Sequence, residues 1–542
     1  MTGLLQVLHA GALGILFLAA IAGPGTVAAR RLGLGAAFAL PLGFGCVALA
    51  GIVSFCAWWI APAAGNAVSL AVLLGAFALV AARAANASSH RELREAAPVL
   101  LATALLTAAW IVLTKAAGVP ASSRFTWVLP IDDQLPRMFA DRIAAGVLSG
   151  PIEGDWLMSD RPPLLTGVLL LFRPLGGGGG LPAETIATLC QLIWLPALVS
   201  LGQSLALGWR RIATGVFFAA TSGFFLLHSV YTWPKLMAAA LFITAVAVVI
   251  ESMRAGTAKP LRIAAATGTL LSLAVLAHGG VWFSVLALPA LPHAWRALRW
   301  FGMRGVVVLL LVAVAVSVPW AAFKRYVDPP GNRLVKWHLA GAIDVDDRSS
   351  LEAIRDAYAR TPVADLWHTR VVNAQFAAGV LGRNPKERWG DYIRRLQFFH
   401  FVPAVGLPLL GVGWVLVARL RGRKTDADAA GLIAHAAGTV FVWIALIFQL
   451  GGTIVHAGSY VPIAVLIFIG GAAMGRWHTV ALACAALVHV TVFLVGWIIT
   501  TPPADGARVS VVAMMFAATL TAGALAVPAL QALRESRRIS AK

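Results

Sequence analysis

The sequence predicts an all-α polytopic membrane protein, and three features of the chain lead to that fold class. Hydrophobic residues make up 59% of its 542 residues and charged residues only 12%, whereas a soluble protein is about 45–50% apolar and about 25% charged. Apolar runs of roughly 20 residues, the length of a helix that crosses a bilayer, recur along the chain. The basic residues lie between these runs. A water-soluble globule is therefore excluded.

Two long polar stretches, residues 118–161 and 323–398, divide the apolar runs into three groups. The runs lie at about 4–28, 34–60, 66–83 and 97–117, then at 163–175, 183–208, 212–230, 235–253, 263–279, 281–297 and 305–322, and finally at 399–418, 430–450, 459–474, 478–499 and 509–530. The run at 163–175 ends in Arg173-Pro174 and five glycines, and we expect that it does not cross the membrane fully. The sequence then predicts about fifteen transmembrane helices.

Lysine and arginine in the short loops predict the orientation, because cytoplasmic loops carry an excess of these residues. The loops that agree on one side contain Arg30 and Arg31; Arg83, Arg91 and Arg94; Arg254, Lys259 and Arg262; Arg296, Arg299 and Arg304; Arg419, Arg421, Arg423 and Lys424; and Arg534, Arg537 and Arg538. With that side inside, the N-terminus and both polar stretches face outward. The net charge of +20 therefore reflects orientation, and no nucleic-acid partner is expected.

Cysteine and glycine give no sign of a cofactor site. The four cysteines, Cys46, Cys56, Cys190 and Cys484, lie inside apolar runs without a CxxC spacing, which favours small buried side chains over a disulfide framework or a zinc site. The glycine run has no Gly-Lys-Ser/Thr after it, so it is interpreted as a connector rather than a phosphate loop. The first apolar run lacks a charged segment before it, and no cleavable signal peptide is predicted.

Acidic residues indicate where the functional surface lies, because they are rare in this chain and unevenly placed. Fifteen of the 23 lie in the outward stretches, six in residues 118–161 and nine in residues 323–398. In the second stretch, three aspartates within residues 344–347 adjoin Arg348, and such a run of charges is usually a solvated surface. The first stretch therefore holds the stronger candidates.

The first stretch contains two adjacent carboxylates, Asp132 and Asp133, which we call the acidic pair. Neighbouring carboxylates repel each other, which raises the pKa of one of them unless a cation or a donor compensates. Such a pair, surface-exposed at the membrane boundary, suits proton abstraction or the binding of a cation. An alternative of equal weight is a helix N-terminus, where aspartate satisfies free N–H groups, since residues 135–147 show an amphipathic helical pattern.

Further polar and aromatic side chains are expected at the same outward boundary. The candidate substrate-binding residues are Arg137, Trp156, Asp160, Arg161, Tyr231, Lys235 and His278. Lys235 departs from the positive-inside pattern, and ionisable groups beside the hydrocarbon core are functional candidates. The simpler interpretations are an interfacial ion pair of Asp160 with Arg161, an aromatic belt around Tyr231, and a structural role for His278 at a helix end.

Three of these motifs follow one another in a fixed order on the outward side. They are Asp132-Asp133, Ser159-Asp160-Arg161-Pro162-Pro163-Leu164 and Tyr231-Thr232-Trp233-Pro234-Lys235. Together they resemble the GT-C-type integral membrane glycosyltransferases, within them the branch of protein mannosyltransferases, lipid A aminoarabinose transferase and RgtA/B/C/D-like enzymes. The resemblance implies a GT-C-like helical bundle with two large outward-facing loops that carry amphipathic helices. The implied units are extra N-terminal transmembrane helices in 1–96, a catalytic module in 97–325 with the first outward loop at 118–161, a second outward loop at 323–398, and C-terminal transmembrane helices in 399–542.

The resemblance also implies an activity, namely transfer of a sugar on the periplasmic face of a bacterial inner membrane. The donor would be a polyprenyl-phosphate-linked sugar, and the acceptor an envelope glycan such as lipopolysaccharide, a lipid or a protein, with membrane lipids as the surroundings. Asp132 would act as the general base, and Asp133 would orient it or bind a cation. Arg161 and Lys235 would stabilise the leaving phosphate, and the usual outcome is inversion at the anomeric carbon.

This chain departs from the family pattern in three respects, and two other functions stay open. It has three extra spans at its start, Asp133 where the family often has glutamate, and Arg161 where many members have lysine. The chain lacks GxGxxG and Gly-Lys-Ser/Thr motifs, which agrees with a lipid-linked donor. The alternatives are a polyprenyl-linked glycan polymerase or ligase with arginine- or histidine-centred chemistry, and a lipid-linked sugar transporter or flippase. No metal ligands are identified, and a divalent cation stays open as a cofactor.

Overall fold

The computed structural model describes residues 2–85, 87–114, 131–380, 385–423, 427–448, 460–499 and 511–540. Of the described residues, 83% are helical, and the sheet within them is one antiparallel hairpin, β1 (Pro151–Glu153) paired with β2 (Trp156–Leu157). Eleven helices of the described residues are long and apolar enough to cross a membrane, or twelve if the bent pair Trp209–Ala220 and Gly223–Val230 is one span. The prediction of an all-α multi-pass membrane protein is therefore confirmed.

The described α-helices are given in three groups, and the helices inside a polar stretch are placed in the group that follows it. The first group is α1 (Thr2–Leu32), α2 (Ala39–Ile60), α3 (Pro62–Ala85) and α4 (Ala87–Thr114). The second is α5 (Leu135–Ala144), α6 (Leu164–Phe172), α7 (Gly180–Leu192), α8 (Trp194–Ser204), α9 (Trp209–Ala220), α10 (Gly223–Val230), α11 (Lys235–Arg254), α12 (Pro260–Ala277), α13 (Val281–Leu286) and α14 (Pro292–Ala322). The third is α15 (Arg333–Ala340), α16 (Ser350–Arg360), α17 (Val363–Ala378), α18 (Trp389–Phe399), α19 (Phe401–Val405), α20 (Leu409–Leu420), α21 (Ala427–Leu446), α22 (Val461–Met474), α23 (Thr479–Phe493) and α24 (Val511–Ser540).

Helix length decides which elements can cross the hydrocarbon core. The central helix α11 has 20 residues, or about 30 Å, which matches the thickness of that core. Helix α6, in the run that we expect not to cross fully, has nine residues, all of them buried in the protein. Its length of about 14 Å is too short to span a bilayer, which agrees with the expectation. The total of about fifteen crossings stays a prediction.

Helix α14 joins parts of two predicted runs, 281–297 and 305–322. It is helical throughout apart from Gly302, whose φ of 60° breaks the helical path. Beyond this break it packs along α12 at very short range, because a Cβ on Gly268 would lie 2.4 Å from the backbone O of Leu309. A glycine is therefore required where the two helices cross.

The bundle has two ends, which α11 connects. Lys235 begins α11 at one end of the bundle, which we call the site end because the candidate active site lies there. Arg254 ends α11 at the opposite end, which we call the basic end. There the Lys259 ammonium donates to the backbone O of Arg31 at 3.0 Å. Two loops that the positive-inside pattern assigns to one side thus lie together in the structure.

The two polar stretches pack against each other at the site end. The carboxylate of Asp328, which follows α14 and is buried, accepts hydrogen bonds from the N–H groups of Gly150 at 2.9 Å and Ser159 at 2.8 Å. One side chain therefore joins the second stretch to two points of the first. Residues 118–130, the beginning of the first stretch, lie outside the described residues.

Candidate active site

The acidic pair lies on a 3₁₀ turn, Ile131–Asp133, that leads into α5. Leu135 and Phe139 are four residues apart and are buried on one face of α5, so the amphipathic helix predicted after the pair is present. The N-cap residue of this helix is Gln134. The alternative in which an aspartate of the pair occupies the capping position is therefore not supported.

Both carboxylates of the acidic pair are buried, each residue being 9% exposed, and the expectation of a surface-exposed pair is wrong. The reason is that later segments of the chain cover the pair: Arg161 lies against Asp132, and Thr232, before α11, donates to the backbone O of Asp133. A guanidinium nitrogen of Arg161 lies 3.1 Å from Asp132 Oδ1, and both side chains of this ion pair are largely shielded from solvent. A buried carboxylate alone would be costly, so the arginine compensates for its burial.

The hairpin and the turn after it position Arg161. Strand β2 ends at Leu157, and the 3₁₀ turn Met158–Asp160 follows directly. The carboxylate of Asp160 accepts a hydrogen bond from the Leu157 N–H at 3.1 Å, and burial raises the pKa of this carboxyl group. Asp160 thus holds the turn, while the ion pair of Arg161 is with Asp132 and not with its sequence neighbour as the simpler interpretation had it.

Two guanidinium groups lie over the ring of Trp156. The Cζ atoms of Arg161 and Arg333 are 4.6 Å and 4.0 Å from the centroid of its ring, distances at which a cation is attracted to an aromatic face. Arg333 begins α15 and also pairs with Asp155 at 2.8 Å, which lowers the pKa of Asp155. The indole ring therefore contacts both Arg161, which pairs with Asp132, and Arg333 of the second polar stretch.

Lys235 is completely buried at the first position of α11. Its Nζ lies 3.3 Å from the centroid of the Trp233 ring and 5.2 Å from that of Tyr460. Aromatic faces of this kind attract a desolvated ammonium group. Tyr231 precedes this segment and is also buried. Burial raises the pKa of the Tyr231 hydroxyl most, and the negative charges of Asp132 and Asp133 raise it further. Tyr231 therefore lies close to both carboxylates.

Two histidines complete the cluster. His278 is the C-cap residue of α12, and its Nδ1 accepts a hydrogen bond from the Gly280 N–H at 3.1 Å. Burial lowers the pKa of His278 and that of His338, and the nearby charges of Lys235 and Arg161 lower both further, to about 3 for His338. Both imidazoles are therefore neutral at pH 7. The structural interpretation of His278 holds, and it lies in the candidate site as well.

The remaining predicted site residue, Arg137, lies beside a small cavity. Together with Asp133, Glu184 and Thr232 it lines a cavity of about 20 Å³. A cavity must offer roughly 10–15 Å³ of such space to hold one water, so this one accommodates water and not a sugar. The Thr232 hydroxyl also donates to the backbone O of Asp133 at 3.2 Å, which ties the acidic turn to the segment before α11.

The residues around the acidic pair do not form a recognisable metal site. Within the described residues, no group of three or more histidine, cysteine, aspartate or glutamate side chains is arranged to hold a metal ion. Two cations of the protein itself interact with Asp132: Arg161 pairs with it at 3.1 Å, and its negative charge acts on Lys235. A role for Asp133 in binding a divalent cation stays a prediction.

Four side chains of this cluster are not among the residues predicted from the sequence. They are Asp328, Arg333, His338 and Tyr460. One signal was present for Tyr460, because it directly precedes α22, whose second residue is Pro462, much as Tyr231 and Pro234 precede α11. The other three lie in a stretch rich in charged residues, where nothing local distinguishes a side chain that packs inward from one in water.

No protein-family model, curated protein or solved structure matches this chain. The site is therefore interpreted from its chemistry. Carboxylates that lie beside guanidinium and ammonium groups, among aromatic rings and neutral histidines, can accept a proton at one point and stabilise a developing negative charge at another. This combination suits group transfer between a hydroxyl and an anionic leaving group.

Proposed function

We propose that this protein is a membrane glycosyltransferase that moves a sugar from a polyprenyl-phosphate donor to an acceptor of the cell envelope. One observation carries the proposal. In a chain with only 12% charged residues, the acidic pair, Arg161 and Lys235 gather in one buried cluster at an end of the helical bundle. Ionisable groups that stay buried at a membrane boundary are costly and are functional candidates by default.

In the proposed reaction, Asp132 accepts the proton of the acceptor hydroxyl while the hydroxyl oxygen attacks the anomeric carbon of the donor sugar. The new bond from that oxygen to the anomeric carbon forms as the bond from this carbon to the phosphate oxygen breaks, and the electron pair leaves with the phosphate. Attack from the face opposite the phosphate inverts the configuration. Arg161 and Lys235 stabilise the charge on the leaving phosphate.

The ion pair between Asp132 and Arg161 has a role in this scheme. In the absence of donor, Arg161 neutralises the buried carboxylate at 3.1 Å. We propose that a bound phosphate attracts the guanidinium, which frees the carboxylate to act as a base. Asp133 orients its neighbour, and Trp156, Tyr231 and His278 contribute to the binding surface.

A lipid-linked donor suits this protein better than a nucleotide sugar. The chain carries no GxGxxG or Gly-Lys-Ser/Thr motif. The basic loops lie at the end opposite the site, which by the positive-inside rule supports a site on the outer face. We therefore propose a GT-C-like enzyme of the bacterial inner membrane with a periplasmic active site. Its acceptor is lipopolysaccharide, another envelope glycan, a lipid or a protein.

A polyprenyl-linked glycan polymerase or ligase is the second candidate. Such enzymes use arginine- or histidine-centred chemistry, and His278 and His338 lie close to Arg161 and Lys235 in the same cluster. Transport of a lipid-linked sugar has less support, because the charged groups gather at one end of the bundle, whereas transporters place their sites near the midplane.

The experiment that tests the proposal follows both products of the reaction. Purified protein in nanodiscs receives a polyprenyl-phosphate sugar with label on the sugar, together with an envelope glycan fraction as acceptor. We expect labelled glycan and free polyprenyl phosphate to appear in equal amounts, and Asp132→Asn to abolish both. Consumption of diphosphate-linked oligosaccharides alone favours the polymerase or ligase, and movement of the donor between leaflets without its cleavage favours the flippase. Either of these results overturns the proposal.

A further inference from the structure

An apolar cavity of about 180 Å³ lies between α11, α12 and the first part of α14. Its walls include Val246, Val249, Leu271, Leu291 and Phe301. For comparison, an apolar cavity of roughly 150 Å³ in another protein stays dry and binds benzene. The cavity is therefore large enough to take several consecutive methylene groups.

The cavity opens sideways to the surroundings of the bundle and lies far from the candidate active site. Two of its wall residues, Trp295 and Leu298, are 54% and 44% exposed on the outer surface of α14. Along α11, Val249 comes fourteen residues after Lys235, a distance of about 21 Å in a helix. An apolar opening on the side of a membrane helix bundle faces lipid chains, not water.

Exposed arginines flank the cavity on the side of the basic end. Arg299 follows the wall residues Trp295 and Leu298 on α14, and Arg262 precedes the wall residue Thr267 by five positions on α12. Both arginines are exposed. A negatively charged headgroup at the membrane surface can therefore meet two guanidinium groups while its chain enters the cavity.

Two other arginines of this end are already engaged with carboxylates. Arg254 pairs with Glu251 at 2.6 Å, and Arg296 pairs with Asp428 at 3.0 Å. These two carboxylates are thus matched by side chains other than Arg262 and Arg299, and Asp428 also lies 2.9 Å from the wall residue His293. The net surplus of positive charge beside the opening selects an anion over a zwitterion.

We propose that this cavity is a binding site for an anionic phospholipid of the leaflet at the basic end. One acyl chain fills the cavity, and the phosphate group lies on Arg262 and Arg299. By the positive-inside rule this leaflet is the cytoplasmic one. The site shares no residue with the candidate active site, so the inference holds or fails independently of the proposed function.

The test measures lipid binding to purified protein by native mass spectrometry, with dioleoyl phosphatidylglycerol and dioleoyl phosphatidylcholine as probes. We expect wild-type protein to retain phosphatidylglycerol roughly tenfold more tightly, since each basic residue near a membrane surface attracts an anionic lipid. Arg262→Gln combined with Arg299→Gln should remove this preference. The matched control is Arg419→Gln combined with Arg421→Gln, which removes two exposed arginines that the same pattern assigns to the same face, and it should keep the preference.

A second set of variants tests the chain rather than the headgroup. Ala294→Phe places a large side chain on a half-buried wall position and should reduce the binding of both lipids. Leu298→Trp does the same from the exposed wall, so it serves if the first variant is not monodisperse on size exclusion. Equal retention of both lipids by wild-type protein, or unchanged binding in the filled variants, would overturn the proposal.

Discussion

The two ends of α11 carry the same kind of charge in opposite surroundings. Lys235, at the site end, is completely buried against the Trp233 ring. The side chain of Arg254, at the basic end, is 50% exposed and pairs with Glu251 less than one turn earlier. An exposed pair of that kind contributes about 0–1 kcal/mol, whereas removing an ion from water costs several kcal/mol unless its surroundings compensate. Stability alone therefore accounts for Arg254 but not for Lys235.

The ion pairs of the two ends differ in the same way. Arg161 and Asp132 are both largely shielded, whereas Arg296 and Asp428 are both about half exposed, although the two pairs have nearly equal nitrogen–oxygen distances of 3.1 and 3.0 Å. Distance thus does not distinguish them, and solvent exposure does. In this chain the buried charges, rather than the exposed ones, therefore indicate function.

The first prediction asks which end faces out, and its outcome is all or none. In a variant without the four native cysteines, Leu351→Cys in the second outward stretch should react with an impermeant maleimide on intact cells. Leu420→Cys, beside the basic loop after α20, should react only after the cells are permeabilised. Both positions are exposed on the protein surface, so accessibility reports the side of the membrane. The opposite labelling would invert the orientation and remove the periplasmic active site.

The second prediction concerns the hidden carboxylate. Asp132→Asn keeps the size of the side chain but removes the base, so sugar transfer should fall by roughly 10²–10⁴-fold. Asp428→Asn breaks the half-exposed pair at the basic end and is the matched control, which should keep wild-type transfer. Asp133→Asn should have a smaller effect if Asp133 only orients its neighbour. Full activity of both pair variants would end the catalytic interpretation of the acidic pair.

Because Asp132 pairs with Arg161 in a shielded place, its substitution also affects folding. Removing one partner of a buried ion pair costs about 3–5 kcal/mol, and the remaining exposure makes that figure an upper bound here. Thermal unfolding of each variant must therefore accompany the assay. A loss of transfer in a variant that unfolds like wild type reports chemistry rather than instability.

The third prediction compares the two ends of α11 directly. Lys235→Met keeps a long side chain but removes the charge opposite the leaving phosphate, and turnover should fall by roughly 10²–10³-fold. Arg254→Met removes the exposed charge and should leave turnover as in wild type. Initial rates at saturating and limiting donor measure both effects. Equal rates in the two variants would remove Lys235 from the proposed mechanism.

The fourth prediction has the smallest expected effect and concerns stability alone. Asp328→Asn replaces one of the two oxygens that accept the N–H groups of Gly150 and Ser159, which should lower the free energy of unfolding by about 1–3 kcal/mol. Asp347→Asn, at an exposed position of the same stretch, should change it by less than about 0.5 kcal/mol. Denaturant titration of the purified variants measures both. Equal stability in the two would show that the contact does not hold the stretches together.

Sequence reasoning predicts most of the fold because helix length and apolarity are local properties. The shortness of α6 follows from the Arg173-Pro174 and glycine signals that end its run, and the amphipathic α5 follows from its spacing of apolar residues. The shape of α14 is less predictable, because its break at Gly302 and its close packing at Gly268 depend on how the neighbouring helix lies. Local pattern carries no information about that neighbour.

In the candidate site, too, the identity of several residues is predictable from the local sequence, whereas their burial is not. Asp132, Arg161 and Lys235 stand out in the sequence as an adjacent pair, a motif at a helix start and an exception to the positive-inside pattern. Their burial is not predictable, because it depends on contacts between segments that are far apart in the chain, such as that of Asp132 with Arg161 and that of Lys235 with Tyr460. Arg333 and His338 are missed for that reason, since only the folded second stretch brings them to the first.

The contact of Asp328 with the first stretch has a consequence for how the protein is made. The N–H groups of Gly150 and Ser159 find this acceptor 178 and 169 residues further along the chain. During synthesis at about 5–20 residues per second, roughly nine to thirty-five seconds separate the two partners, and helices α6 to α14 are made in between. The hairpin that precedes Arg161 therefore lacks its final partner until the ribosome has passed residue 328. A nascent chain arrested before that residue should expose the hairpin to added protease, and one arrested well beyond α15 should protect it.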